Sequence, residues 1–398
     1  MDAHKKQLAL AAGASLGLVA LYRWQRRSKK AAPPPLAKRR LAPGLEVTVL
    51  GCGGASLGDL YVETTHESAL ATLRASLDGG IQFYDTAPWY GCGLSEARFG
   101  LGLARADRAS FALNTKVGRT LEPDLGGGPR RGWKHGAHFS VTFDYSGAAF
   151  RTQLRDSLQR TGLARVESLV IHDLEPNAHK SADDPTGVAT TKRHLDALAS
   201  SGFAALCELR ASGAIRAFGA GVNADEDGED AAAKAAYNAD YVKRLFALGD
   251  EAPGGRGLDF LLIANCYSLL NFSAAGILDE CEKRGVAVVI GGPFSSGILA
   301  TGPDPPRGTA MYNYRPASDD VRATARRIEA ICKRHGVPLV AAALQFPLGH
   351  PAVASVIPGG KSPAEVRSNV ASMRRPIPGA LWADLRAAGL LPPHIRAP

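Results

Sequence analysis

From residue 45 onward the chain alternates short apolar runs with helical patterns, and this alternation restricts the possible folds more than any other feature. The runs stand at 47–53 (VTVLGCG), 81–87 (IQFYDTA), 111–118 (FALNTKVG), 168–174 (SLVIHDL), 215–222 (IRAFGAGV), 260–267 (FLLIANCY), 286–294 (VAVVIGGPF) and 353–359 (VASVIPG). They lack in–out alternation, which is the signature of parallel strands covered by helices on both faces. Between them lie helical stretches such as HESALATLRASLDGG, AAFRTQLRDSLQRTG and ILDECEKRG. Each closes on glycine, as helix C-termini commonly do. Eight such units predict an α/β fold, a (β/α)8 TIM barrel in one domain with long βα loops. A doubly wound sheet is the next arrangement that the spacing allows.

Barrel chemistry gathers where strands end. The second run ends at Asp85, with Tyr90 in the loop after it. The third ends in Lys116 and the fourth in His172. Taken singly, each has an ordinary structural explanation: a loop cap, a packing aromatic, a solvated lysine, a core histidine. At successive strand ends they converge on one rim and become candidate catalytic residues.

Composition narrows the partners. The net charge of +9 comes from residues 1–40, where ten Lys and Arg face Asp2 alone; residues 41–398 carry 37 basic and 37 acidic side chains. The folded part is therefore neutral, with no basic field for nucleic acid. Residues 8–22 (LALAAGASLGLVALY) are apolar or small between Lys5–Lys6 and RWQRRSKK. That pattern suits a short membrane anchor with the barrel facing the cytoplasm, a cleaved organelle-targeting peptide, or a plain tail. Residues 1–43, ending in a Pro-rich linker, are thus set apart from a barrel domain at 44–398. The six cysteines show neither CxxC nor metal-ligand spacing, so reduced structural thiols and no metal are expected.

The segments FYDTAPWYG, GLSEARFGLGL, NTKVGR, IHD, GAGVN and PGG with a later Asn resemble the aldo-keto reductase superfamily over about residues 44–376. More closely they resemble its branch of D-threo-aldose 1-dehydrogenase, plant L-galactose dehydrogenase and pyridoxal 4-dehydrogenase. The resemblance implies a catalytic tetrad of Asp85, Tyr90, Lys116 and His172 and a nicotinamide cofactor. Hydride transfer at a carbinol or carbonyl carbon must be matched by a proton moved at oxygen. Tyr90 would carry it, Lys116 would lower the phenol's pKa, Asp85 would hold Lys116, and His172 would orient the substrate oxygen.

By the same resemblance Asn223 and Asn265 would hold the carboxamide and Tyr267 would stack on the nicotinamide ring. Pro293, Ser295 and Gly297 would wrap the pyrophosphate with backbone N–H groups. Asn369 closes the last motif. Where NADP-preferring relatives place a Lys and an Arg, this chain has Gly359 and Glu365, which implies NAD, with NADP the alternative should Lys361 and Arg367 reach round.

The long loop 119–147 offers Arg119, Arg130, Arg131, Trp133, His135 and His138 beside Trp89. Arg119, Trp89 and Trp133 are the candidate substrate contacts for a sugar or an aldehyde/alcohol, acted on by a monomer or weak oligomer. Oxidation of an aldose such as L-galactose or L-fucose at C1 is the expected reaction. Pyridoxal oxidation and general aldehyde/ketone reduction are alternatives within the class. A nicotinamide-binding regulatory subunit is the alternative outside it.

Overall fold

A computed structural model describes residues 34–126, 132–223, 231–252, 255–306 and 308–398. The stretch 8–22 and residues Arg130 and Arg131 lie outside these. Among the described residues no helix is long and apolar enough to cross a membrane.

The chain enters through an antiparallel hairpin, β1 (Lys38–Ala42) and β2 (Leu45–Thr48). Eight parallel strands follow: β3 (Cys52–Gly53), β4 (Phe83–Asp85), β5 (Ala112–Val117), β8 (Ser168–Ile171), β9 (Ala217–Asn223), β10 (Phe260–Ala264), β11 (Ala287–Gly291) and β14 (Val353–Ile357). They pair in that order, and the bridges Leu50↔Val356 and Gly53↔Gly359 join last strand to first. The eightfold pattern read from the sequence is therefore a (β/α)8 barrel. Two hairpins interrupt the repeat: β6 (Arg119–Pro123) with β7 (Phe139–Phe143), and β12 (Met311–Tyr312) with β13 (Arg315–Pro316).

The helices end where the sequence says they should. Thr65 caps His66–Asp78 by accepting from Ser68 N, and Ser146 caps Gly147–Thr161 by accepting from Ala149 N. Gly162 and Gly285 terminate their helices in left-handed geometry, at φ 63° and 67°.

Two boundaries differ from expectation. The run 47–53 divides, its first half serving β2 and its second half β3. The compact unit begins at Leu36 rather than 44, because the basic stretch KRRLA forms β1. Leu41, Ala42, Leu45 and Val47 join Phe83, Val170, Phe260 and Val289 in one buried cluster, so the hairpin plugs the N-terminal end of the barrel. Arg39 fastens it, donating to Val353 O at 2.7 Å and Leu348 O at 3.0 Å.

Candidate active site

Strand register assembles the acidic end of the site. Asp85 closes β4 opposite Asn114 of β5, and Lys116 lies two residues further along β5. The buried Asp85 carboxylate accepts from Asn114 Nδ2 at 2.5 Å and from Lys116 Nζ at 2.9 and 2.8 Å. Lys116 Nζ also donates to Thr86 O at 2.9 Å, so a fully buried ammonium is paired and satisfied.

Tyr90 stands on a turn that few sequences could make. Gly91, Cys92 and Gly93 are all left-handed, at φ 64°, 50° and 95°. A Cβ on Gly91 would sit 2.6 Å from Gly58 O, and one on Gly58 2.5 Å from the carbonyl carbon of Tyr90. Two loops thus touch backbone to backbone, and glycine is required on both sides. The helix Leu94–Leu103 clamps this turn. Ser95 Oγ donates to Gly54 O at 2.9 Å and accepts from Thr86 Oγ1 at 2.9 Å. Buried Glu96 accepts from Thr115 Oγ1 at 2.7 Å and Arg160 Nε at 2.5 Å. Arg98 donates to Asp59 and to the carbonyls of Leu57 and Thr64. The Ser-Glu-x-Arg start of this helix, Ser95 to Arg98, therefore positions Tyr90 rather than acting on substrate.

The remaining tetrad members meet there. Lys116 Nζ lies 4.5 Å from the centre of the Tyr90 ring, and His172 packs edge-on to the same ring at 5.9 Å. Burial raises the Tyr90 phenol well above its ordinary pKa; Asp85 and Asp173 push the same way and Arg119 opposes them. The lowering expected from Lys116 is thus not realised, because its charge is spent on Asp85 and burial dominates. Burial also drops His172 to about 3, so this imidazole is neutral at working pH. Its Nδ1 is buried without a partner, and its Nε2 lies 3.4 Å from Asp173 Oδ2.

The substrate candidates fare differently from one another. Trp133 bridges to Leu60 and packs against Tyr90 and Trp89 at 5.8 and 5.6 Å, roofing the tyrosine. Its indole N–H is buried and unpartnered. Arg119 is instead committed to the scaffold: it pairs with Asp173 at 2.5 Å and lies between the rings of Trp89 and Phe143. His135 turns away to Glu63 at the surface.

A nicotinamide dinucleotide fits several of the residues assigned to it. Asn223 ends β9 with its Oδ1 unpartnered among the described residues, and Asn265 holds a buried, unpartnered Oδ1 against Gly292. Ser295, Ser296 and Gly297 adopt φ 48°, 63° and 117°, a preformed turn after Pro293. Two of its backbone donors are spent inside that turn, Ser295 N on Gly292 O and Gly297 N on Phe294 O. Fewer N–H groups therefore face a pyrophosphate than the resemblance implied.

Gly359 is exposed beside Ser56, and Asn369 is buried on the helix Pro363–Met373. Glu365 does two local jobs: its carboxylate accepts from Lys361 N at 3.0 Å, and its own N–H is capped by Ser362.

Tyr267 is the clear correction. It is 1 % exposed and stacked on Phe346 at 5.2 Å, in the layer between barrel and helices. A face already covered cannot receive a cofactor ring.

One trio among the described residues, Asp279, Glu282 and His350, brings metal-type ligand atoms together. His350 Nδ1 accepts from Ala352 N, leaving Nε2 as the donor to Asp279, and Arg396 pairs with both acids. It is an ion-pair cluster.

Sequence inspection missed Asn114, Asp173, Glu175 and Lys234. Asp173 had a signal, lying beside His172 in the same strand-end motif. Lys234 had none, since it lies on the helix Ala231–Asp250, about 60 residues away in sequence from the loop it pairs with.

The model of the aldo/keto reductase family matches residues 49–389. Pyridoxal 4-dehydrogenase of Microbacterium luteolum is 36% identical over 359 residues, covering 87% of this chain and 96% of that protein. D-threo-aldose 1-dehydrogenase of a Pseudomonas species is 34% identical over 358 residues, covering 88% and 97%. Among solved structures, an aldo-keto reductase from Bacillus halodurans superposes with a TM-score of 0.61 at 25% identity, covering 88% of this chain and 96% of that one.

Proposed function

The chain belongs to the aldo/keto reductase family, an oxidoreductase family that works with nicotinamide cofactors. Within it we propose an NAD-dependent dehydrogenase that oxidises an aldose, such as L-galactose or L-fucose, at C1 to the lactone. The observation that carries this reading is the intact tetrad: Asp85, Lys116, Tyr90 and His172 meet at one rim with the buried ion pair in place.

A bound nicotinamide supplies the hydride acceptor. The chain's own residues manage the oxygen. His172, neutral and with a buried ring nitrogen free, orients the anomeric hydroxyl. Tyr90 takes the hydroxyl proton as general base and returns one as general acid in the reverse direction. Trp133, buried against Tyr90, excludes water above the phenol, and half-buried Trp89 stands beside it at the rim. C1 of a cyclic hemiacetal is the carbon best suited to lose hydride, because its ring oxygen stabilises the developing positive charge.

Preference for NAD is supported by charge. A 2′-phosphate dianion would meet the Glu365 carboxylate, and the ammonium beside it, Lys361 Nζ at 4.0 Å, is already paired with that carboxylate. The ribose hydroxyl of NAD can instead donate to it.

A second reading has its own support. Pyridoxal also closes to a cyclic hemiacetal, the Trp89–Trp133 pair suits a pyridine ring, and a relative carrying that activity in its name aligns along nearly the whole domain. Initial rates with NAD⁺ and NADP⁺ on L-galactose, L-fucose and pyridoxal, with the product identified as lactone by mass, test both readings. Turnover of a sugar faster with NAD⁺ is the expected result. In the variant Gly359→Lys with Glu365→Arg, preference should move toward NADP⁺; a Cβ at 359 comes closest to the rotatable Ser56 hydroxyl, at 3.2 Å. Exclusive turnover of pyridoxal would select the second reading, and none with any of the three would reject both.

A further inference from the structure

Asn223 spends both hydrogens of its side-chain amide on carboxylates. Nδ2 donates to Asp173 Oδ1 at 3.0 Å and to Glu175 Oε1 at 2.7 Å. An ionised carboxylate can only accept, so the nitrogen end of this amide is fixed by its neighbours' chemistry. Each acid is itself held in place. Arg119 grips Asp173 at 2.5 Å, and Lys234, nine-tenths buried, forms an ion pair with Glu175. The backbone carbonyl of Asn223 accepts from Asn238 Nδ2 at 2.9 Å. Asp173 makes its contacts from a left-handed backbone, φ 48°, a conformation an L-residue adopts only against resistance. Among the described residues Oδ1 of Asn223 is left without a partner.

We propose that Asp173 and Glu175 are positioning residues that turn Asn223 so that its oxygen, not its NH2, meets the nicotinamide carboxamide. The cofactor is then read through its amino group. A carboxamide has a donating end and an accepting end, and a freely turning asparagine can serve either. Two flanking carboxylates remove that choice, because reversing the amide would set Oδ1 against two anions. They thereby select one of the two orientations the carboxamide can take about its bond to the ring. The resemblance assigned Asn223 to the carboxamide; the two ion pairs add which end of each amide meets the other.

Cofactor analogues test this without turnover. Thionicotinamide dinucleotide keeps the amino group, whereas 3-acetylpyridine dinucleotide replaces it with methyl and keeps the carbonyl. Dissociation constants come from quenching of tryptophan fluorescence, in the NAD or NADP series, whichever parent binds more tightly. For the wild type the thio analogue should bind within about threefold of the parent, and the acetyl analogue weaker by on the order of tenfold. The isosteric pair Asp173→Asn with Glu175→Gln lets both neighbours donate, so the amide can turn, and the penalty on the acetyl analogue should fall to about threefold or less. A merely structural role for the acids would weaken all three dinucleotides alike and leave their ratio unchanged, and that outcome overturns their part. Should the double variant fail to fold, the wild-type ratio decides alone: an acetyl analogue that binds as tightly as the parent overturns the proposal. Failure of both parents to bind would overturn the cofactor assignment with it.

Discussion

Tyr90 is held as a neutral acid by its surroundings. Burial raises the phenol well above its ordinary value, with Asp85 and Asp173 adding to the effect. Below its pKa the ionised fraction of a base of this kind rises tenfold per pH unit. Oxidation, which needs the phenolate, should therefore accelerate with pH through neutrality and reach no plateau below about pH 9. Reduction, which uses the O–H form, should hold steady over the same range. His172, at about 3, stays neutral throughout and adds no limb to either profile. Initial rates in both directions at saturating substrate check this, and an oxidation optimum at or below pH 7 would contradict it. At this scale the tetrad was legible because proton transfer admits few side chains and a barrel brings strand ends together. Tyr267 was misread because sequence cannot say which face of the wall a residue beyond a strand end will take, and Phe346 lies about 80 positions away. The carboxylates around Asn223 were missed for a similar reason: their partners Arg119 and Lys234 come from other loops and helices.

Among the elements, the N-terminal hairpin shows what patterning hides. KRRLA is too basic to read as a strand, yet Lys38 and Arg40 are exposed, Arg39 spends its charge on the carbonyls of Val353 and Leu348, and Leu41 and Ala42 close the barrel. The run 47–53 looked continuous because the three residues between β2 and β3, Val49, Leu50 and Gly51, are all buried and Leu50 bridges to the last strand. The helices, by contrast, were readable from their caps and glycines. A chain beginning at Leu36 should melt within about 1 °C of one that also carries residues 1–35. A chain beginning at Gly44 loses β1 and uncovers the plug. Burial of one leucine is worth roughly 2–5 kcal/mol, so in a domain of this size its Tm should fall by about 3–7 °C. Thermal melts of the three proteins settle the boundary, and equal melting of the chains beginning at 36 and 44 would return it to residue 44.

The whole molecule was the most legible level. Eight apolar runs separated by amphipathic stretches admit few closed architectures, and the eight strands close in the order in which the runs occur. What the barrel scaffold does not specify is the substrate, because the loops that contact it can vary while the strands beneath stay the same. The central claim is that four side chains on three adjacent strand-end loops form one proton-handling unit around Tyr90. Replacing Tyr90 with Phe keeps the ring that Lys116, His172 and Trp133 pack against and removes only the oxygen. Turnover of the best substrate should fall by a factor on the order of 10²–10⁴, while the dissociation constant for the dinucleotide stays within about threefold of the wild type. Unchanged turnover in Tyr90→Phe would contradict the assignment outright.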